Sequence, residues 1–133
     1  MRLGLVVAAC IVCAGCGAAR SHVAHDVAAA RVQSGCSGPS CGDYDRVGAW
    51  ATNATIAGAL AFVERCETCH TYRDIGTQRL GAPDLTHVGR RLSQQKLLEW
   101  IRCPECLDRG TSMPDYSLLP QSTLDALVVL LRR

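Results

Sequence analysis

The chain is poor in aromatic residues and methionine, and it has no hydrophobic run long enough to cross a membrane. With one Phe, two Trp and two Met among 133 residues, the side chains alone would fill the centre of a small domain poorly. The longest apolar stretch, residues 3–14, falls short of the roughly 20 residues that span a bilayer. The 14 basic and 12 acidic residues are scattered along the chain, which excludes a basic nucleic-acid-binding stripe and an acidic tail. We therefore expect one folded domain with attachments and no nucleic-acid partner.

The N-terminus indicates export. Met1 and Arg2 precede the apolar stretch, as in bacterial export signals. The stretch ends in Val12-Cys13-Ala14-Gly15-Cys16, which is similar to the lipobox of bacterial lipoproteins, where small residues precede the lipidated cysteine. We predict a signal peptide at residues 1–15 and a lipid anchor on Cys16, which would hold the protein on the periplasmic side of a bacterial membrane. Cleavage near Ala19 without lipidation is the alternative.

Two segments follow the signal. Residues 16–50 show no sustained apolar periodicity, which predicts a flexible tether. Residues 51–133 contain three helical patterns separated by loops rich in Gly and Pro, which predict one compact all-α domain. The first pattern has Asn53 as its N-cap, the second begins after Ser93 and ends before Pro104, and the third opens with a capping-box spacing at Ser122. Because three short helices bury little by themselves, we expect a bound group to fill the centre.

Cys66-Glu67-Thr68-Cys69-His70 has the C-x-x-C-H spacing that is typical of covalent haem attachment. In a helical turn the two sulfurs face the same way, so each can add to a haem vinyl group while the imidazole of His70 reaches the iron. The sequence therefore predicts one covalently bound haem c.

A second cysteine pair, in Cys103-Pro104-Glu105-Cys106, leaves two other interpretations open. Four cysteines could form a tetrahedral zinc site and make the chain a zinc-stabilised binding module. The separation of the two pairs, however, exceeds the roughly 15 to 20 residues of common two-pair zinc motifs. A thiol-disulfide enzyme would also use such a pair, but the chain lacks the βαβ pattern that frames this chemistry.

A second iron ligand must come from farther along the chain. Met113 is the only methionine outside the signal, and it lies in a polar loop with Gly and Pro, where a core methionine is not expected. We predict His70 and Met113 as the two iron ligands. His87 is the competing residue, and His22 and His25 are weaker alternatives.

Residues 51–133 resemble class I cytochromes c. Gly58 and Phe62 precede the C-x-x-C-H motif, and residues 82–85, 98–101 and 110–114 follow it in the order of that family. The resemblance implies a small cytochrome c fold, with three main helices around one haem, and a one-electron carrier rather than an enzyme. The iron would change oxidation state with both ligands kept. The partners would be redox proteins that donate and accept electrons, such as a respiratory complex or an oxidase. A haem enzyme or sensor with a displaceable ligand is the alternative.

The resemblance also implies roles for individual residues. The carbonyl of Pro83 would accept a hydrogen bond from His70, Arg90 and Thr111 would lie near the haem propionates, and Trp100 would line the pocket. Gly58 would let the first helix cross the last one closely.

Four cysteines remain once the signal, lipid and haem cysteines are set aside: Cys36, Cys41, Cys103 and Cys106. Their number is even and the predicted compartment is oxidising, so disulfides are expected. Of the three possible pairings we favour Cys36 with Cys41 and Cys103 with Cys106. Free structural thiols are the alternative.

Overall fold

The computed structural model describes residues 14–35 and 41–133, with side chains from residue 22 onward. This part of the chain is mainly helical, which confirms the all-α class, and its one sheet is a small antiparallel hairpin. The helices are α1 (Ala14–Gln33), α2 (Cys41–Trp50), α3 (Ile56–Arg65), α4 (Val88–Arg91), α5 (Gln94–Arg102), α6 (Pro104–Leu107) and α7 (Gln121–Leu131), and the hairpin strands are β1 (Thr71–Tyr72) and β2 (Ile75–Gly76).

The crossing of α3 and α7 forms the centre of the fold. Gly58 of α3 lies against α7, where a Cβ atom would overlap the carbonyl oxygen of Ala126 and come within 2.9 Å of the Leu130 Cβ. The missing side chain therefore lets the two helix backbones approach closely, as the resemblance implied. The apolar face of α7 is buried there and consists of Leu124, Leu127, Val128, Leu130 and Leu131.

The predicted helix starts have mixed outcomes. Ser93 is the N-cap of α5, where its side chain accepts a hydrogen bond from the Lys96 N–H at 3.2 Å, so this prediction is confirmed. Asn53 is not the N-cap of α3, because the chain first makes a turn in which the Thr52 carbonyl accepts the N–H of Ile56. The prediction at Ser122 was also wrong. Pro120 is the N-cap of α7, and a proline fixes φ at a value that suits the entry to a helix.

The hairpin was not predicted, because strands of two residues show no alternation in a sequence. Thr71 pairs with Gly76 and Tyr72 with Ile75. Tyr72 is buried and its hydroxyl donates to the Leu130 carbonyl at 3.0 Å, while its ring lies 5.8 Å from that of Phe62. The hairpin is thereby fixed to the α3–α7 core.

The segment predicted as a flexible tether contains α1 and α2, so the prediction was wrong for residues 22–35 and 41–50. Val23 and Val27 of α1, with Tyr44 and Val47 of α2, are buried in the same hydrophobic core as α3 and α7. The apolar residues are few, but they are three or four positions apart and therefore share one face of each helix. A pattern search overlooks such a face because alanine and glycine dilute it.

No helix in the described ranges combines the length and the apolar character that a membrane span requires. Residues 1–13 of the predicted signal peptide lie outside the described ranges. Cys36 lies outside them too. Cys16 lies in α1, but its side chain is outside the described part. These assignments stay predictions.

Candidate functional site

The C-x-x-C-H residues form a tight turn at the end of α3. Cys66 is the C-cap of this helix, and its N–H donates to the Phe62 carbonyl at 2.8 Å. The Cys66 carbonyl then accepts the N–H of Cys69 at 3.1 Å and that of His70 at 2.9 Å. We call residues 66–70 the motif turn. Its backbone is closed on itself by these bonds, so its side chains project from a rigid base.

The two cysteines of the motif turn are free thiols, although the second C-x-x-C pair is oxidised. Cys66 and Cys69 are half-buried and unbonded, whereas Cys103 and Cys106, at the same spacing, form a disulfide with Cα atoms 5.3 Å apart. Burial, reinforced by the charge of Cys69, raises the pKa of the Cys66 thiol to about 12. The turn therefore presents two cysteine sulfurs that remain available for another bond.

The imidazole of His70 is oriented by a main-chain acceptor. Its Nδ1 lies 2.8 Å from the carbonyl oxygen of Pro83. A carbonyl can only accept, so Nδ1 carries the hydrogen, and in the neutral ring the lone pair is then on Nε2. This is the arrangement in which a histidine binds a metal through Nε2. The contact is the one that the resemblance implied for these two residues.

Asp84 holds the loop that carries Pro83. Its carboxylate accepts hydrogen bonds from the Thr86 N–H at 2.6 Å and from the Thr71 hydroxyl at 3.0 Å. These bonds, that of Thr86 first, hold the pKa of Asp84 below its usual value. Because Thr71 directly follows His70, the carboxylate links the two ends of the loop that fixes the imidazole.

A cavity of about 540 Å³ lies beside His70, within the size range of cofactor pockets. Pro83, Trp100, Thr111 and Met113 line it together with His70, so the structure brings these predicted residues together. Most of the remaining wall is apolar and is formed by Leu85, Val88, Leu92, Leu97, Ile101 and Leu131. Cys66 and Cys69 lie in the adjoining turn and are not part of the lining.

Met113 is held at the cavity by short-range bonds in its own loop. Its N–H donates to the Thr111 hydroxyl at 3.2 Å, and the Thr111 N–H donates to the Asp108 carbonyl at 3.1 Å. His87, the competing ligand, is the exposed N-cap of α4 and does not line the cavity. The histidines of α1 are also exposed and outside the lining.

Two neighbouring arginines of α4 differ in their relation to the cavity. Arg90, for which a place near the ligand was predicted, is not part of the lining, whereas the next residue, Arg91, is, and both are exposed. The role of Arg90 stays a prediction. Successive residues of a helix point about 100° apart, and motif order alone does not fix which side of the one-turn α4 faces inward.

Tyr116 is a residue that the sequence reasoning missed. Its hydroxyl donates to the Arg65 carbonyl at 2.7 Å and its N–H donates to the Ile101 carbonyl at 3.1 Å. The side chain therefore joins the Met113 loop to the end of α3, next to the motif turn. Burial, with the charges of Cys66 and Cys69, raises its pKa. In the sequence, only its position three residues after Met113 indicates that Tyr116 belongs to the site.

Comparisons with protein-family models, with curated proteins and with solved structures found no match to this chain. The argument for function therefore rests on the geometry of the site. Two neutral donors, an imidazole nitrogen and a thioether sulfur, come from distant parts of the chain to one apolar cavity. Two thiols lie in the turn next to it.

The zinc interpretation does not agree with the state of the second cysteine pair. Because Cys103 and Cys106 are joined in a disulfide, they cannot complete a four-cysteine site with the motif turn. Within the described ranges no group of three or more His, Cys, Asp or Glu side chains is arranged to hold a metal ion.

Proposed function

We propose that the protein is a c-type cytochrome, a one-electron carrier with a haem c held by Cys66 and Cys69 and ligated by His70 and Met113. The supporting observation is the His70 to Pro83 hydrogen bond beside an apolar cavity that also contains Met113. The finer fold assignment, a small class I cytochrome c fold, belongs to the same proposal.

The residues fit this cofactor by their chemistry. Cys66 and Cys69 would each form a thioether, in which the sulfur bonds to a vinyl carbon and the thiol hydrogen passes to the other carbon. His70 and Met113 supply the nitrogen and sulfur ligands found in cytochromes c. A bound haem would supply an iron that gains and loses one electron.

The protein's own contribution is to fix the ligands and to exclude water. Pro83 keeps the His70 ring in one tautomer and increases the basicity of Nε2. The apolar wall lowers the local dielectric, and Arg91 and Thr111 offer polar groups to a ligand that carries carboxylates. If His70 and Met113 both bound the iron, they would leave no coordination site for a substrate, which favours electron transfer over catalysis.

The proposal extends to location and partners. A lipid on Cys16 would keep the carrier on the periplasmic side of a bacterial membrane, and its partners would be a protein electron donor and acceptor of a respiratory chain. The sequence pattern at residues 12–16 supports the lipid. Residues 1–13 lie outside the described part.

The test compares Met113→Ala with the matched variant His87→Ala, each made in cells with a cytochrome maturation system. Wild type is expected to keep its haem in acid acetone, to be low-spin in both oxidation states and to resist carbon monoxide. It should also show a weak near-infrared sulfur-to-iron band when oxidised. Met113→Ala should lose that band, lower the midpoint potential and bind carbon monoxide when reduced, because a thioether favours ferrous iron.

His87→Ala is expected to behave as wild type. Complete extraction of the haem by acid acetone, or zinc without a Soret band, would overturn the proposal. Ready binding of carbon monoxide by wild type, or a spin-state change in His87→Ala alone, would favour a haem enzyme or sensor.

A further inference from the structure

Asp43 is a buried carboxylate on α2 that binds the hairpin. It is 7% exposed, and its Oδ2 accepts the N–H of Gly76 at 3.1 Å, while its Oδ1 lies 2.5 Å from Arg46 Nη1. Burying a carboxylate is costly unless it is paired and hydrogen-bonded. Here both oxygens are engaged, one by a cation and one by the backbone of β2.

Gly76 lies directly behind the motif turn. Its φ is +85°, and a Cβ at this position would overlap the carbonyl oxygen of His70. The next residues bind the same turn, because the Thr77 N–H donates to the Glu67 carbonyl at 2.6 Å and the Arg79 N–H to the Cys69 carbonyl at 2.9 Å. The segment from Gly76 to Arg79 therefore lies against the turn that carries His70 and supports it.

α2 contacts the hairpin at two further points. Arg46, which pairs with Asp43, also donates to the Asp74 carbonyl at 3.2 Å. The Trp50 ring lies 5.9 Å from the Tyr72 ring, and the Arg73 guanidinium stands 4.8 Å from the Trp50 centroid. Tyr72 and Arg73 follow His70 in the chain, so α2 holds both strands of the hairpin.

We propose that α2 fixes the position of the hairpin behind His70. Asp43 is then a positioning residue, because it holds Gly76 and thereby the backbone of His70. This inference rests on the proposed function, since the effect is read at the haem. The N-terminal segment would then set the orientation of an iron ligand as well as linking the domain to a membrane. Asp43 acts only through the hairpin and touches no reacting atom.

The experiment uses full-length holoprotein and compares Asp43→Ala, Asp43→Asn and Asp45→Ala. Asp45 is on the same helix, but its ion pair with Arg31 on α1 is exposed, so its removal is a matched loss of one carboxylate. Amide exchange at Gly76 should become about tenfold faster in Asp43→Ala, the usual effect of losing one hydrogen bond. The haem-methyl shifts in the proton NMR spectrum of the oxidised protein, which report ligand orientation, should move.

Asp43→Asn keeps an acceptor oxygen for Gly76 and should restore most of the wild-type shifts, and Asp45→Ala should leave them unchanged. If Asp43→Ala lowers the melting temperature but keeps wild-type haem-methyl shifts and midpoint potential, Asp43 is merely structural and the inference is wrong. Equal shifts in Asp43→Ala and Asp45→Ala would also overturn it. A wild-type protein without covalent haem would overturn the proposed function as well, so the two failures can be distinguished.

Discussion

A single main-chain oxygen decides what His70 can do. The Pro83 carbonyl accepts from Nδ1 at 2.8 Å, and proline has no N–H of its own with which to compete for the ring. A side-chain acceptor could rotate away or be protonated, whereas a carbonyl does neither. The chemistry of the site therefore depends on the conformation of residues 83–86 as much as on the identity of the ligand.

The carboxylate of Asp84 gives this loop a dependence on pH. Its pKa is below the usual value in the folded protein, so the stability it contributes is present above the unfolded pKa, about 3.9. This stability is lost as the pH falls through the lower folded pKa. We expect Asp84→Asn to be less stable than wild type at pH 7 and the difference to shrink below about pH 4. Urea unfolding midpoints across pH measure it.

The control for this prediction is Asp74→Asn, which removes an exposed carboxylate from the neighbouring hairpin. It should change the pH profile little. A constant gap between Asp84→Asn and wild type from pH 7 to pH 3 would contradict the assigned role of the ionised carboxylate.

Gly58 sets the distance between α3 and α7. A Cβ there would overlap the Ala126 carbonyl, and backbone on both sides cannot move away cheaply. Gly58→Ala is therefore expected to lower the free energy of unfolding by about 1–3 kcal/mol. Gly48→Ala is the matched control. Its nearest neighbour would be Val27 Cγ2 at 3.8 Å, so the helix should gain about 0.5–1 kcal/mol. Denaturant unfolding compares the two, and a stabilised Gly58→Ala would show that the crossing is looser than described.

At the scale of helices, local signals decided which elements the sequence could predict. α5 has a serine cap whose hydroxyl binds the first turn, and α7 has an apolar face of five buried residues. Both signals lie within a few neighbouring positions. The burial of Val23 and Tyr44 depends on the core they meet rather than on their neighbours in sequence, so the local pattern predicts a tether where the structure has α1 and α2.

The disulfide between Cys103 and Cys106 lies at the start of the loop that delivers Met113. The Asp108 N–H donates to the Pro104 carbonyl at 2.9 Å, and the Asp108 carbonyl in turn accepts from Thr111. Replacing both cysteines with serine is expected to lower the free energy of unfolding by about 2 kcal/mol, the loop-closure value for so short a ring. It should also speed the binding of carbon monoxide by the reduced protein, because the Met113 loop loses an anchor.

Stopped-flow mixing with carbon monoxide gives the rate, and the wild-type protein treated with reductant is the companion measurement. All samples have ferrous haem and differ only in the disulfide. Wild type whose disulfide has been reduced should agree with the double variant. If the variant binds carbon monoxide no faster than ferrous wild type with its disulfide intact, the loop is ordered by its hydrogen bonds alone.

At the scale of the whole molecule, the site divides into a local and a nonlocal part. The motif turn consists of five consecutive residues, so the sequence alone identifies it. The cavity draws its wall from α4, α5 and α7, and its position depends on how those helices pack. Motif order therefore predicted Trp100, Thr111 and Met113. It did not distinguish Arg90 from Arg91, which lines the cavity, because only the rotation of a short helix separates the two arginines, and it did not single out Tyr116.

The proposed anchor on Cys16 predicts where the whole protein resides. Wild-type protein should fractionate with membranes, with Cys16 as the mature N-terminus, because lipoproteins carry more than one acyl chain and one alone binds only marginally. Cys16→Ser should release holoprotein into the soluble periplasm or block processing. Mass spectrometry of the N-terminal peptide and membrane fractionation measure both. A wild-type N-terminus beyond Cys16 would contradict the anchor.

The α3–α7 crossing also sets the order of events when the protein is made. The partner of Gly58 is α7, more than 60 residues later in the chain, and Leu131, near the end of that helix, lines the cavity. The cavity therefore cannot close until Leu131 has been synthesised, while the motif turn is complete many residues earlier. A chain exported unfolded would present Cys66 and Cys69 to a maturation enzyme before α7 docks. Cys66 and Cys69 would be modified first, and α7 would then pack against α3 and close the cavity.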